Sequence, residues 1–206
     1  YHINRDEIEG GIISSFVPQI TTIVKLAVEK ILKKNVLVVG AGIKTGLNIR
    51  IDNPAQLGSD LVVDSVAAIV EYPAPLLIFD LGTANTVCVI DKNKNYIGGM
   101  IYPGIGVSLD SLTAHASQLG GISIEAPEHM IGKNTTECMK SGLIYSSAAA
   151  MDGIIDRLQE QLGGEATVIA TGGLAKKIVP HCRREIILDD DLLLKGLAII
   201  YKKNRK

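Results

Sequence analysis

Tryptophan is absent from the 206 residues and phenylalanine occurs twice, so any core must be built from aliphatic side chains. Cysteine is almost as scarce. Cys88, Cys138 and Cys182 lie far apart, and an odd count without metal-ligand spacing argues against a disulfide framework and a zinc site. Sparse, unpaired cysteines suit a reducing cytoplasm. Neither sign of charge is in excess: 21 Lys and Arg face 22 Asp and Glu, which leaves no basic field for nucleic acid or an anionic membrane. The basic end, residues 202–206, reads as a solvated tail. No apolar run reaches the roughly 20 residues of a membrane span, because Asp60, Asp64, Glu71 and Asp80 interrupt the longest ones. The sequence also lacks a GxSxG elbow, a GxxxxGK[ST] loop and a GxGxxG fingerprint. His115, His129 and His181 are too scattered for a metal site or a triad and read as surface or ordinary packing.

What is present is a high apolar content, 47%, arranged as runs rather than alternation. GGIISSF (10–16) and NVLVVG (35–40) read as buried strands, joined by a helix that begins near Pro18 and repeats Ile20, Ile23, Ala27 and Ile31. Strand, helix, strand with continuous apolar runs marks a sheet covered by helices. Residues 41–55 form a Gly, Asn and Pro-rich connection, and 58–72 carry the Val62, Val66, Ile69, Val70 stripe of a helix that Pro73 and Pro75 end. LLIFDLGT and NTVCVIDKNKNYIGGMI predict adjacent strands with a turn at 92–95. Helices are expected at 107–118 and 135–162, a strand at 166–173, a short helix at 174–179 and a last helix at 191–203. The whole is α/β and divides into residues 1–55, a partial first lobe, and 56–206, a second lobe.

Within LLIFDLGTANTVCVI the apolar run is broken by Asp80, Gly82, Thr83, Asn85 and Thr86. A strand that turns through Asp-x-Gly-Thr exposes backbone N–H groups at the glycine, adds the hydroxyls of Thr83 and Thr86, and projects one carboxylate. Those are the parts of a phosphate cradle with a cation ligand, though such a turn alone is also an ordinary strand end. VIATGGLA repeats the form at Gly172 and Gly173 and opens onto a helix whose N-terminus favours negative charge. Asp60 follows Gly58 at the start of a helix, where it serves either as a cap or as a general base near a substrate hydroxyl. Asp64, one turn on, reads as solvated or capping.

With NPAQLGSD, DLGTANT, GKNTTECMKSGL and ATGGLA, the chain resembles the type III pantothenate kinases, from about residue 8 to its end. The resemblance implies the two-lobed actin-like (ribonuclease H-like) fold and ATP-dependent phosphorylation of pantothenate, the first step of coenzyme A synthesis. It also implies a homodimer that uses Mg²⁺ and a monovalent cation, potassium or ammonium. On this likeness Asp60 is the catalytic base, with Gly58, Ser59 and Thr135 beside the substrate. Asp80 holds the monovalent cation, Gly82, Thr83 and Thr86 line the phosphates, and Gly172 and Gly173 lie by the adenosine.

The chain departs from the family pattern in three ways. No Asp-x-Gly-Asn-Thr phosphate loop precedes GGIISSF, and the chain begins at Tyr1 as if mid-fold, so an N-terminal portion is expected to be missing and the first lobe incomplete. Leu61 stands where many members have arginine. Ile51 replaces a tyrosine, and Asn85 replaces a threonine of the phosphate turn. Two readings follow: a kinase, or a non-catalytic relative that binds pantothenate or nucleotide.

Overall fold

The computed structural model describes residues 4–15 and 17–205; Tyr1, Phe16 at the end of the GGIISSF run, and Lys206 of the basic tail lie outside them. Along the chain come β1 (Gly11–Ile13), α1 (Pro18–Leu32), β2 (Val36–Val38), β3 (Asn48–Ile49), α2 (Ser59–Glu71), β4 (Leu76–Leu81), β5 (Ala84–Ile90) and β6 (Asn95–Pro103). Then follow α3 (Ile105–His115), α4 (Thr135–Leu162), β7 (Thr167–Thr171), α5 (Ala175–Ile178), β8 (Ile187–Leu188) and α6 (Leu192–Asn204). β1 and β2 form a small parallel sheet. The others form one mixed sheet in the order β3-β6-β5-β4-β7-β8.

Local chemistry explains the main boundaries. α4 starts where the Asn134 side chain accepts from Glu137 N–H at 2.9 Å while Glu137 reaches back to Lys133 N–H at 3.0 Å, a reciprocal cap. It ends at Gly163 in the left-handed conformation. Asp91 fixes the turn into β6 by accepting from the backbone N–H groups of Asn93 and Asn95.

The strand period sorts the core into layers. Leu77, Phe79, Leu81, Val87 and Val89 face Ile144, Ala148, Met151 and Ile155 of α4 and Ala175 and Ile178 of α5. Leu76, Ile78, Cys88 and Ile90 face Ala67 and Ala68 of α2 on the other side. Val62, Val63 and Val66 of α2 belong with Val39 and Ile200 to a further cluster, onto which Ile12 of β1 packs. α2 and α6 are therefore shared between the large sheet and the small one.

α1 differs from a simple covering helix. Its expected stripe faces outward, with Ile20, Ile23 and Ile31 exposed. Val28 lies instead toward Gly11 of β1. The helix is apolar on more than one side, so spacing alone does not choose which face meets the strands.

Candidate active site

Asp80 sits near the end of β4, opposite Thr86 of β5 and Thr171 of β7 in the ladder. Residues in register share a sheet face, so these three form a polar row where the apolar core of that face ends. α2 brings its N-terminus to the same place. Gly58, Asp60, Asp80, Gly82, Thr83 and Thr86 all line one cleft of about 810 Å³.

Each wall of the cleft has a structural cause. β4 and β5 reverse through Gly82 and Thr83, and Gly104 N–H donates to Thr83 O at 3.0 Å. A side chain at 104 would come within 2.6 Å of Thr83 O, so only glycine lets the β6–α3 turn press against this hairpin. The second glycine turn abuts it as well, because Leu174 N–H donates to Leu81 O at 3.2 Å. Gly172, at φ +93°, lies against Asp80 and Leu81. The helix after it, α5, spans four residues rather than a full dipole-bearing helix.

Burial pushes the Asp60 carboxyl above the ordinary carboxylate range, opposed by the N–H of Leu61, which donates to Asp60 Oδ1 at 2.6 Å. Burial and then the Asp60 charge push Asp80 up in turn. The Thr86 hydroxyl is buried and has no protein partner. An unpaired hydroxyl beside a carboxylate is an oxygen donor set left for something outside the chain. Among the described residues no group of three or more His, Cys, Asp or Glu side chains is arranged to hold a metal ion.

The expected site residues are not all brought together. Ser59 is not among the residues of the cleft wall, its hydroxyl lying 2.8 Å from that of Ser14. Gly172 lies behind Asp80 without lining the cleft, and Gly173 is not among the residues of the cleft wall either. Thr135 lines a separate cavity of about 680 Å³ between α3 and α4, with Ser108, Leu112, Cys138 and Leu143.

Asp64 overturns its reading as a solvated or capping residue. It is 2% exposed, and its Oδ1 has no partner. Burial, followed by the charges of Asp80, Asp60 and Asp189, pushes its pKa up to about 8. The signal was available in DLVVDSVAA, where valines and alanines surround Asp64 as on a helix buried on both sides. Asp189 is held below the usual range despite burial, because Lys195 and Tyr72 both donate to it, at 2.7 and 2.8 Å. That network ties the end of α2 to α6.

Comparison with solved structures gives the class first. A Campylobacter jejuni protein described as a conserved Baf family transcriptional activator superposes with a TM-score of 0.61 at 19% identity, over 97% of this chain and 86% of that one, a likeness of fold alone. Sequence comparison is more specific. A model of the type III pantothenate kinase family matches residues 2–157. The type III pantothenate kinase of Bacillus cytotoxicus is 45% identical over 198 residues, covering 96% of this chain and 76% of that protein. That of an Exiguobacterium species is 42% identical over 205 residues, covering 100% of this chain and 80% of that protein. This chain belongs to the type III pantothenate kinase family, and its helix-covered mixed sheet is of the α/β class expected from the sequence.

Proposed function

We propose that this chain transfers the γ-phosphoryl group of ATP to the hydroxyl of pantothenate, the activity for which its relatives are named. The observation that carries this reading is the meeting of Asp60 with Asp80, Gly82, Thr83 and Thr86 around one cleft. Asp60 takes the hydroxyl proton as the oxygen attacks phosphorus. A carboxylate raised by burial is closer to neutral pH than a free one, which suits a base that must return its proton. The Gly82–Thr83 turn and the Thr86 hydroxyl hold phosphate oxygens. Phosphoryl transfer is chiefly positioning and charge stabilisation, so these donors have a direct role.

Asp80 with the unpaired Thr86 hydroxyl fits a monovalent cation, potassium or ammonium, which would supply positive charge beside the phosphates. Mg²⁺ would arrive with the ATP phosphates, as is usual for a cation that prefers few protein ligands. Gly172 and Gly173 would border the adenosine. Gly58 and Asp60 would contact pantothenate, and Thr135, in its separate cavity, would reach the substrate of a partner protomer in a homodimer. The three free cysteines support a cytoplasmic setting, and the near balance of charge gives no overall electrostatic attraction to nucleic acid.

Incubation of the chain with ATP, Mg²⁺, potassium or ammonium, and pantothenate, followed by mass detection of 4'-phosphopantothenate, tests the proposal; no product from a chain that binds both substrates would refute it. Leu61 supports a second reading, since a leucine cannot grip a carboxylate or phosphate as a guanidinium does. In that case the chain is a binding protein, and titration calorimetry shows pantothenate or nucleotide binding without turnover.

A further inference from the structure

Ser59 is the first residue of α2, and the helix cap before it, Gly58, has no side chain to hold the first turn. The turn is nonetheless the one that presents Asp60 to the cleft. Its tether comes from 45 residues away: the Ser14 hydroxyl, just past the end of β1, lies 2.8 Å from the Ser59 hydroxyl, and both are partly buried. Apolar packing holds one side of this turn through the partly buried Leu61 and, just before it, Leu57, while Val62, Val63 and Val66 pack with Ile12 and Ile200 further along; the hydroxyl pair is the polar tie at Ser59 itself.

We infer that Ser14 and Ser59 are positioning residues: their paired hydroxyls fix the first turn of α2 to the small sheet and so set where Asp60 stands relative to Asp80. This assigns Ser59 a role other than substrate contact, in keeping with its absence from the cleft wall. The inference rests on Asp60 being the base of the proposed reaction. The latch can be followed without turnover, because the amide of Leu61 is bonded to the Asp60 carboxylate itself.

The test is a cycle of Ser14→Ala, Ser59→Ala and the double variant, with Ser14→Thr as the conservative control. One lost hydrogen bond of ordinary strength predicts that each alanine lowers kcat about fivefold. KM for ATP and pantothenate should stay within about twofold, the signature of an interaction that matters for the reacting geometry rather than for binding. The double variant should lose no more than either single one, and Ser14→Thr should restore most of the rate. Amide exchange at Leu61 should quicken about fivefold in Ser14→Ala, with no change in the pH of maximal rate. Multiplicative loss in the double variant, a rise in KM alone for Ser59→Ala, or unchanged exchange at Leu61 overturns the latch. If the parent chain shows no turnover, the kinase reading fails while the exchange measurement still decides the role of Ser14.

Discussion

Gly172 lies so close to Asp80 that a single added carbon would overlap the carboxylate Oδ1 and stand 2.7 Å from both Leu81 N and Leu81 O. The end of β7 thus forms the back wall behind the one carboxylate that β4 offers to the cleft. Gly172→Ala should destabilise the fold by about 1–3 kcal/mol, since it also forces a side chain into φ +93°. Chemical denaturation measures that loss, and activity should fall further than stability because Asp80 is displaced. An alanine variant with parental stability and activity would show that the turn has room.

Asp80→Asn keeps the shape and removes the charge proposed to hold a monovalent cation. The variant should lose stimulation by potassium or ammonium while retaining its thermal midpoint to within a few degrees. Titrating the cation at fixed ATP and pantothenate checks this. Stimulation equal to the parent would place the cation elsewhere.

Asp64 gives a pH dependence of defined sign. Its carboxyl is raised from 3.8 to about 8 in the folded chain, so the folded state keeps a proton that the unfolded state has released. Its contribution is complete below pH 3.8 and is lost as the pH rises toward 8, by about 1.4 kcal/mol per pH unit. Asp64→Asn cannot ionise and should flatten that decline. Denaturation midpoints at pH 5, 7 and 9 should therefore favour the variant increasingly with pH. Parallel pH curves for the two proteins would contradict the burial of an unpaired carboxyl.

Much of this was legible in the sequence, for reasons that can be named. The α4 face of Met139, Leu143, Met151, Ile154, Ile155 and Leu158 is legible from its helical period, and all of it but Met139 packs in the core on the α4 side of the sheet, Met139 lining the cavity between α3 and α4. The β4–β5 hairpin announced itself because Asp80, Gly82 and Thr83 interrupt an apolar run. β3 and β8 were not foreseen: each is a two-residue edge strand, too short to carry a period. The link between Ser14 and Ser59, and that between Asp189 and Tyr72 across 117 residues, depend on long-range approach that local pattern does not encode. Thr135 was grouped by likeness with Asp60, yet the fold of the chain keeps it in a different cavity.

Asp60 is the group proposed to accept the proton in the cleft. The most direct measurement compares turnover and ATP binding in Asp60→Asn and the parent under saturating pantothenate and monovalent cation. Binding should be retained, circular dichroism should be unchanged, and kcat should drop by about 10²–10⁴, the range expected for removal of a general base. Undiminished turnover would contradict the account and remove Asp60 from the chemistry.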